Sequence, residues 1–454
     1  MKIAIIGAGP AGLAVAHKLT ISNYEVDVFD NQAQVGGFAK SIELWDRKVE
    51  IGPHFLNVGI IPEVDRTVSG IVGDNYLTYE RKTFIITRGK MFYYPPAITD
   101  IFKKMGVNDV CKATGSFLIQ HLRKTEIEAN AEDFVKQKLG LHLYQYFFES
   151  FSRKLWGLNG NQVSDVFAKS LLGFDTGFTP AKIIYTKIKR KFKPEKNPHK
   201  YLYFKGGLST LWNTMKQKIE AAGGNFHLST PIKALHYTSN DNLSGLILED
   251  GSFKQYDAFV STIPIQSLIK YLDQSDKEIV SNNKVNFRND VLVYLKVKSE
   301  RPISGQCFYC YSEDTQLTRV TNFDEFTPGL KGDFNILLAE FWCGKDDKIW
   351  QASNDEILEI VKNELKKNPV FKDVEILDAH VKKIPNAFQV PDLDLLKNRE
   401  KLLSNIPAFN NLYLTGRTTS INFNYGMENA IHDGLKTASE LIAALNAQPQ
   451  NVPL

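Results

Sequence analysis

The chain has 454 residues, of which 43% are hydrophobic and 23% are charged, a balance typical of a globular protein. At this length we expect more than one domain. The net charge of +4 is too small to indicate a nucleic-acid partner. Four cysteines do not make a disulfide scaffold, so we expect a cytoplasmic protein. We expect no transmembrane segment, because no apolar run reaches about 18 residues.

The chain opens with a strand, a helix and a second strand at 2–6, 10–20 and 25–29, which predict a βαβ unit. The first turn carries the motif Gly7-Ala8-Gly9-Pro10-Ala11-Gly12. In this setting Gly7 permits a tight turn, Gly9 lets the backbone approach a diphosphate, and Gly12 lets helix and strand pack closely. Asp30 follows the second strand, where a carboxylate accepts hydrogen bonds from ribose hydroxyls. We therefore predict a dinucleotide site, with a glycine-rich turn that binds no ligand as the alternative.

A second glycine pair, Gly36 and Gly37, followed by Phe38, comes soon after Asp30. Adjacent glycines let the backbone pass close to a ligand. Simple NAD domains lack a pair at this place, so we predict FAD as the cofactor. The alternative is an ordinary loop.

The middle of the chain alternates between helical and strand patterns. Helical spacing covers 95–136 and 139–151. Strand patterns follow at 227–228, 246–249, 258–262, 291–297, 306–311 and 335–342. The last three are rich in β-branched and aromatic residues and alternate, which is typical of an antiparallel sheet.

The chain closes with a short buried strand at 412–415 and a helix at 425–444. Gly416-Arg417 follows the strand, and Tyr425-Gly426-Met427 opens the helix. A helix N-terminus stabilises an anionic reduced flavin, and Arg417 can pair with a phosphate. The alternative is a helix cap beside a surface arginine.

These patterns predict an α/β fold with two parts: a Rossmann-like FAD-binding domain with a parallel sheet, and a mixed helical and antiparallel-sheet substrate domain. We expect the FAD-binding domain to comprise 1–80, 201–275 and 401–454. A helical substrate region would cover 81–200, and an antiparallel-sheet substrate domain would cover 276–400. No second G-x-G-x-x-G motif occurs, so we expect no separate NAD(P)H domain.

Five further motifs follow one another along the chain: Gly52-Pro53-His54-Phe55, Arg88-Gly89-Lys90-Met91-Phe92, Phe151-Ser152-Arg153-Lys154-Leu155-Trp156-Gly157, Phe204-Lys205-Gly206-Gly207-Leu208 and Thr318-Arg319-Val320. In this order they resemble the superfamily of amine oxidases, protoporphyrinogen oxidases and phytoene desaturases. Within it they are most similar to the UDP-galactopyranose mutases. The resemblance implies an FAD enzyme whose flavin N5 acts on a small-molecule substrate, such as a nucleotide sugar.

The same resemblance implies catalytic or substrate-contacting roles for His54, Trp156 and Arg319. His54 would orient substrate or tune the protonation of the flavin. Trp156 would stack on a substrate ring, and Arg319 would face the substrate. The alternatives are a loop histidine held by backbone groups and a core tryptophan.

Several residues of the mutase pattern are replaced. Gly173-Phe174-Asp175 stands where the mutases keep an arginine, and Ala387-Phe388-Gln389-Val390 stands where they keep paired tyrosines. Phe151 replaces a tyrosine, and Gly426 replaces an aspartate. Much of the diphosphate and uridine clamp is thus missing or moved. An oxidoreductase, in which N5 accepts a hydride, therefore stays as an alternative. A non-catalytic, FAD-stabilised protein is a third.

The cysteines Cys307 and Cys310 have the C-x-x-C spacing but lie in a strand pattern. Positions i and i+3 of a strand face opposite sides, and no second pair exists to complete a zinc site. We predict two packed thiols and no metal.

A basic stretch at 182–193 carries lysines and an arginine interleaved with isoleucines and a phenylalanine. Such a stretch could contact an anionic membrane surface or a substrate diphosphate. A solvated face is the favoured interpretation.

Overall fold

The computed structural model describes residues 1–96, 98–122, 129–172, 200–204, 206–239, 241–272, 285–326, 332–417, 419–420 and 425–447. Its strands are β1 (Lys2–Ile6), β2 (Glu25–Phe29), β3 (Ser41–Leu44), β4 (Arg47–Glu50), β5 (Leu56–Val58), β6 (Tyr76–Glu80), β7 (Thr83–Thr87), β8 (Lys90–Tyr93), β9 (Lys200–Phe204), β10 (Asn225–His227), β11 (Ile232–Ser239), β12 (Asn242–Leu248), β13 (Phe253–Gln255), β14 (Ala258–Ser261), β15 (Phe287–Ser299), β16 (Cys307–Cys310), β17 (Arg319–Asn322), β18 (Asn335–Cys343), β19 (Val374–Gln389) and β20 (Leu412–Leu414). Its α-helices are α1 (Pro10–Thr20), α2 (Pro62–Val72), α3 (Ile98–Lys104), α4 (Val107–Leu122), α5 (Ala131–Leu139), α6 (Leu141–Phe147), α7 (Glu149–Trp156), α8 (Asp165–Leu172), α9 (Ser209–Ala221), α10 (Ile265–Leu272), α11 (Lys348–Gln351), α12 (Asn354–Lys366), α13 (Leu395–Ser404) and α14 (Met427–Ala447).

The first sheet is parallel throughout, with the strand order β10-β2-β1-β14-β20. Its central strand β1 is an apolar run after Lys2, because a parallel sheet is buried on both faces. The chain leaves this sheet after β2 and returns to it three times, at β10, β14 and β20. The predicted Rossmann-like fold class is confirmed.

The last helix packs directly on the first. A Cβ atom added to Gly434 of α14 would lie 2.4 Å from the carbonyl oxygen of Ala11 in α1, so the two helices approach closely. Leu13, Ile431 and Leu435 bury their side chains in one core with the parallel sheet. The two ends of the chain are thereby joined into one domain.

The second sheet has the order β19-β15-β18-β17-β16-β7-β8. The predicted strands at 291–297, 306–311 and 335–342 lie within or around β15, β16 and β18. Every pairing is antiparallel except that of β16 with β7, which is parallel. The sheet is therefore mixed at this one place, because β7 reaches it from a distant part of the chain.

Alternate residues of β15 enter two different cores. Val291 and Val293 pack in a core with Ile357 of α12. Leu292 and Tyr294 face the other way, into the core of the dinucleotide-binding domain. The second sheet is thus buried on both faces along β15, and one of these faces packs against the dinucleotide-binding domain.

The helical patterns at 95–136 and 139–151 fold into five short helices, α3 to α7, rather than long ones. Gly106 separates α3 from α4. Asn130 caps α5 by accepting a hydrogen bond from the amide of Asp133 at 2.9 Å. Gly140, with a φ of 83°, ends α5 in a conformation that favours glycine.

Over the described ranges, no helix combines the length and the hydropathy that a bilayer crossing requires. No group of three or more metal-ligating side chains occurs in that part of the chain either. The basic stretch 182–193 and Gly173-Phe174-Asp175 lie outside the described residues. The domain boundaries stay predictions.

Candidate active site

The predicted dinucleotide turn connects β1 to α1. The amide of Gly7 donates to the carbonyl of Phe29 at 2.8 Å, which ties the turn to β2. A Cβ added to Gly12 would lie 1.9 Å from the oxygen of Gly7, so only glycine fits there. Around Gly9 no atom lies within 4 Å of an added Cβ, and Pro10 starts the helix. The backbone at Gly9 is therefore open to a ligand at a helix N-terminus.

The carboxylate of Asp30 organises this turn. Its Oδ2 accepts a hydrogen bond from the amide of Ala8, and its Oδ1 accepts one from the amide of Gln32, both at 2.8 Å. Each carboxylate oxygen can accept a further bond. Asp30 thus has capacity left for ribose hydroxyls, although the sequence did not indicate its bonds to the backbone.

The second glycine pair lies against the first turn. The amide of Gly36 donates to the carbonyl of Ala8 at 2.8 Å. Gly36 has a φ of 103°, and its added Cβ would lie 2.5 Å from the ring of Trp212, so a side chain is excluded. The added Cβ of Gly37 would lie 3.4 Å from the Cα of Gly9. Phe38, next in the chain, is exposed.

The C-terminal segment reaches the same place. An added Cβ on Gly416 would lie 3.2 Å from the Cβ of Ala11, at the start of α1. Arg417 is exposed. Tyr425 donates to Asp433 at 2.6 Å, which braces the start of α14 beside Gly426 and Met427. Three glycine segments, from both ends of the chain, thus meet at the N-terminus of α1 and fit a diphosphate-bearing cofactor.

Glu428, in the first turn of α14, was missed by the sequence reasoning. It is buried, and its Oε1 accepts a hydrogen bond from Asn57 at 2.5 Å. Its Oε2 is buried without a hydrogen-bond partner among the described residues. Burial raises the pKa of this carboxyl. A glutamate directly after Met427 at a helix start was the signal available.

The side chains of His54 and Arg319 both lie close to Gly52. An added Cβ on Gly52 would lie 3.7 Å from the Cε1 of His54, 3.7 Å from the Nη2 of Arg319 and 3.8 Å from the Oε1 of Glu340. Burial, together with the positive charges of Arg319 and Arg417, lowers the pKa of His54 to about 4. Its imidazole is therefore neutral at pH 7, with Nδ1 unpartnered within the described structure.

Arg319 is held by a carboxylate that the sequence reasoning did not find. In the pairing of β17 with β18, Arg319 lies opposite Glu340, which is fully buried. The Nε–H group of Arg319 donates a hydrogen bond to Oε2 of Glu340 at 2.6 Å, and its Nη2–H group donates one to Oε1 at 2.5 Å. This bidentate pair neutralises the charge of Arg319.

Asp290, on β15, adds a second carboxyl to the pair. It is buried, and its side chain hydrogen-bonds that of Glu340. Burial and the negative charge of Glu340 raise the pKa of Asp290 well above its ordinary value, which favours the neutral form of this carboxyl. Asp290 therefore lies beside the balanced ion pair of Arg319 and Glu340. The signal in the sequence was Glu340 within the apolar run of β18, and Asp290 directly before that of β15.

Trp156, at the end of α7, is connected to Arg319 through a second tryptophan. Its ring centre lies 6.1 Å from that of Trp342, and Trp342 stacks on Phe388 at 4.0 Å. The Cζ of Arg319 lies 5.3 Å from the ring of Trp342. Trp156 is buried, and its Nε1 has no partner among the described residues. The three side chains proposed from the sequence therefore form one row, with Trp342 between Arg319 and Trp156.

The two cysteines of the C-x-x-C spacing are free and buried in β16. Burial raises the pKa of Cys307 to about 11 and that of Cys310 to about 12, so neither is a thiolate at neutral pH. The prediction of packed thiols is confirmed.

Two family models match this chain, one over its N-terminal dinucleotide-binding segment and one over most of the remainder. The family model of flavin containing amine oxidoreductases matches residues 112–442. An NAD(P)-binding Rossmann-like domain matches residues 5–68.

Two curated relatives match parts of the chain. A 4,4'-diapophytoene desaturase of Staphylococcus aureus (strain bovine RF122 / ET3-1) is 34% identical over 79 residues, which cover 17% of this chain and 15% of that protein. A protein of Klebsiella pneumoniae named "Probable UDP-galactopyranose mutase" is 25% identical over 178 residues, 37% of this chain and 44% of that protein. The matched regions thus span less than half the length of these relatives.

Several solved structures match almost the whole chain, among them the following two. A reduced UDP-galactopyranose mutase has a TM-score of 0.79 at 16% identity, covering 98% of this chain and 96% of that one. A candidate protoporphyrinogen oxidase from Exiguobacterium sp. 255-15 has a TM-score of 0.73 at 15% identity, covering 98% and 99%. At these identities the likeness establishes a shared fold.

Proposed function

Because the chain belongs to the family of flavin-containing amine oxidoreductases and is an FAD-dependent enzyme, we propose that it acts on a nucleotide sugar or related glycan precursor in the manner of UDP-galactopyranose mutase. The family membership supports the FAD cofactor and the FAD-dependent enzyme expected from the sequence, and the type of reaction stays a proposal. The single observation that carries the mutase proposal is the row of His54, Arg319, Trp342 and Trp156, which joins the motif residues shared with the mutases. A mutase also recurs in both the sequence and the structural comparisons.

For the cofactor, we propose that the amides at the start of α1 hold the diphosphate of FAD, with Gly9 at the closest approach. Asp30 would accept hydrogen bonds from the ribose, and Gly36 and Gly37 would line the same groove. The start of α14 would face the flavin ring system, and Arg417 would pair with a phosphate of the cofactor. Bound FAD would supply a reactive N5.

On the substrate side, we propose that His54 orients groups near the flavin as a neutral imidazole. With a pKa of about 4 it carries almost no proton to give at pH 7, so its role is hydrogen bonding rather than acid catalysis. Arg319 is fixed by Glu340 and would present its remaining N–H groups in one direction. Trp156, Trp342 and Phe388 would supply an aromatic wall for a sugar or base.

The test is anaerobic turnover of UDP-galactopyranose by FAD-loaded protein in two redox states. We expect dithionite-reduced protein to convert it into an isomer of equal mass, resolved by chromatography, and oxidised protein to be inactive. Turnover by the oxidised protein with net oxidation of the substrate would contradict the proposal. A His54→Asn variant, which keeps a neutral polar side chain, is expected to retain part of the activity.

A second candidate, an FAD-dependent oxidoreductase, is favoured by one observation. Glu340 already balances the charge of Arg319, so this cation offers little attraction to a diphosphate. A substrate without phosphate would suit such a site. Anaerobic bleaching of the flavin by an amine or a porphyrinogen, in stoichiometric amount, would support this candidate over the mutase.

A further inference from the structure

Arg81, between β6 and β7, places its guanidinium among aromatic rings. Its Cζ lies 5.0 Å from the ring centre of Phe55, 5.2 Å from that of Tyr94 and 5.8 Å from that of Tyr201. Its Nε donates to the hydroxyl of Thr83 at 2.7 Å, and the guanidinium also hydrogen-bonds Tyr201. Arg81 is partly buried. The guanidinium of Arg81 is thus partly shielded from solvent, and none of these neighbouring side chains carries a negative charge.

Three other partly buried arginines differ from Arg81 in their partners, whereas Arg399, buried on α13, also has no carboxylate within ion-pair distance among the described residues. Each of those three has a carboxylate within ion-pair distance: Arg47 with Asp324 at 3.3 Å, Arg288 with Asp347 at 3.6 Å, and Arg319 with Glu340 at 2.5 Å. Across the described segments, Arg81 has no carboxylate at that distance. Burying a cation is costly unless an anion joins it. This residue therefore has the charge needed to hold an anionic ligand.

Arg81 borders the site already described. Tyr94, which faces Arg81, lies 5.4 Å from Tyr309 between ring centres. Tyr309 in turn lies 5.7 Å from the Cζ of Arg319. On its other side Arg81 contacts Phe55, which directly follows His54 in the chain. Arg81 is thus linked to Arg319 through Tyr94 and Tyr309, and its contact with Phe55 places it beside the segment that carries His54.

The neighbours of Arg81 supply hydrogen-bond donors rather than competing charges. Burial raises the pKa of Tyr94 to about 12, so its hydroxyl keeps its proton at neutral pH. Although burial acts to lower the pKa of Arg81, Tyr309 and the hydrogen bond with Tyr201 raise it, so the guanidinium keeps its positive charge. A guanidinium fork with several phenols around it suits the three oxygens of a phosphoryl group.

We propose that Arg81, with Tyr94, Tyr201 and Tyr309, forms a subsite that binds a phosphoryl group of the substrate. This inference rests on the proposed function, because a nucleotide sugar carries the diphosphate that the subsite would hold. It assigns the anchoring charge to Arg81, which has no carboxylate partner, and not to Arg319, whose charge Glu340 neutralises. It also explains how the chain could bind such a substrate after losing much of the mutase clamp.

The experiment measures binding by calorimetry on FAD-loaded, oxidised protein. Inorganic pyrophosphate and UDP are the probes, and succinate is the carboxylate control. We expect Arg81→Met to lower the affinity for both phosphoryl probes by about tenfold or more, since hydrogen bonds to charged groups contribute strongly to binding. Tyr309→Phe, which removes only a hydroxyl, is expected to weaken them by a few-fold. The matched control is Arg301→Met, which removes an equal charge at an exposed position and should change nothing.

The flavin absorbance and melting temperature of each variant establish that it is folded. If Arg81→Met fails to retain FAD, Arg81→Lys takes its place, because it keeps the charge but loses the fork and should still weaken pyrophosphate binding. Unchanged affinity in the arginine and tyrosine variants would overturn the subsite. So would Arg81-dependent binding of succinate without binding of pyrophosphate.

The outcomes separate this inference from the function on which it rests. Binding of pyrophosphate that depends on Arg81, in a protein that isomerises no UDP-sugar, would support the subsite and refute the mutase. If the reduced protein isomerises the UDP-sugar but its affinity for UDP is the same with and without the Arg81 side chain, the subsite is refuted and the mutase function is not.

Discussion

The two halves of the site are assembled by different means. In the cofactor half, backbone segments from both ends of the chain converge, with Gly37 against Gly9 and Gly416 against Ala11. In the substrate half, side chains from neighbouring strands set the charge, as Glu340 does for Arg319. The cofactor half is therefore specified by local glycine motifs. The charge of the substrate half depends on long-range pairing, which single residues can change.

The strongest test of this difference is to remove Glu340. Glu340→Gln leaves Arg319 with an uncompensated buried charge, and breaking such a pair costs about 3–5 kcal/mol in the free energy of unfolding. Urea denaturation of FAD-loaded protein measures the loss. Asp290→Asn is the matched control: the raised pKa of Asp290 favours its neutral form, so we expect a loss below about 1 kcal/mol. Equal losses in the two variants would contradict this charge assignment.

In the cofactor half, the corresponding change is Gly12→Ala. The added methyl would lie 1.9 Å from the oxygen of Gly7, and such overpacking costs about 1–3 kcal/mol. We expect a lower melting temperature and weaker retention of FAD, read from the visible spectrum. Gly115→Ala in α4 is the control, because no atom lies within 4 Å of its added Cβ and alanine favours a helix. Normal FAD retention by Gly12→Ala would show that the close contact is unimportant.

The third test uses pH. The pKa of His54 is lowered to about 4 by burial and by Arg319 and Arg417, against 6.5 in the unfolded chain. The unfolded state therefore binds the proton first as pH falls, and the free energy of unfolding decreases between pH 6.5 and about 4. We expect at most about 2 kcal/mol, because part of the side chain is exposed. The comparison is with His54→Asn, which cannot titrate there. Parallel stability curves for the two proteins would mean that the pKa of His54 is not lowered.

The smallest expected effect concerns the thiols. Cys111 is exposed, whereas Cys307, Cys310 and Cys343 are buried with raised pKa values. A thiol reagent should therefore modify one cysteine in the native protein and all four after denaturation. Mass measurement of the product identifies it, and binding of FAD should not change. Rapid modification of Cys307 or Cys310 would show that β16 opens in solution.

Much of the cofactor half could be predicted from the sequence. The glycine motifs at 7–12 and 36–37 are local, because each is defined by the spacing of a few neighbouring residues. The hydrophobic residues of the strand and helix around the first motif also recur at regular intervals. The contact between Gly416 and Ala11 could not be predicted from local patterns, because these residues lie some 400 positions apart in the chain. The resemblance to known families supplied that connection.

The substrate half was less predictable. His54, Trp156 and Arg319 were proposed on a resemblance, and the structure brings them into one row, but their roles stay predictions. Arg319 was proposed without the partner that neutralises it, because its pairing with Glu340 depends on the register of two strands. The parallel pairing of β7 with β16 was missed for the same reason. Periodicity predicts a strand but not its neighbour.

The most direct test of the central claim is a reductive titration of the FAD-loaded protein, with UDP-galactopyranose turnover measured at each step. The mutase account predicts that the isomerisation rate rises in proportion to the fraction of reduced flavin and that no electrons pass to the substrate. A rate of substrate oxidation that is highest with oxidised flavin and falls as the flavin is reduced would contradict it.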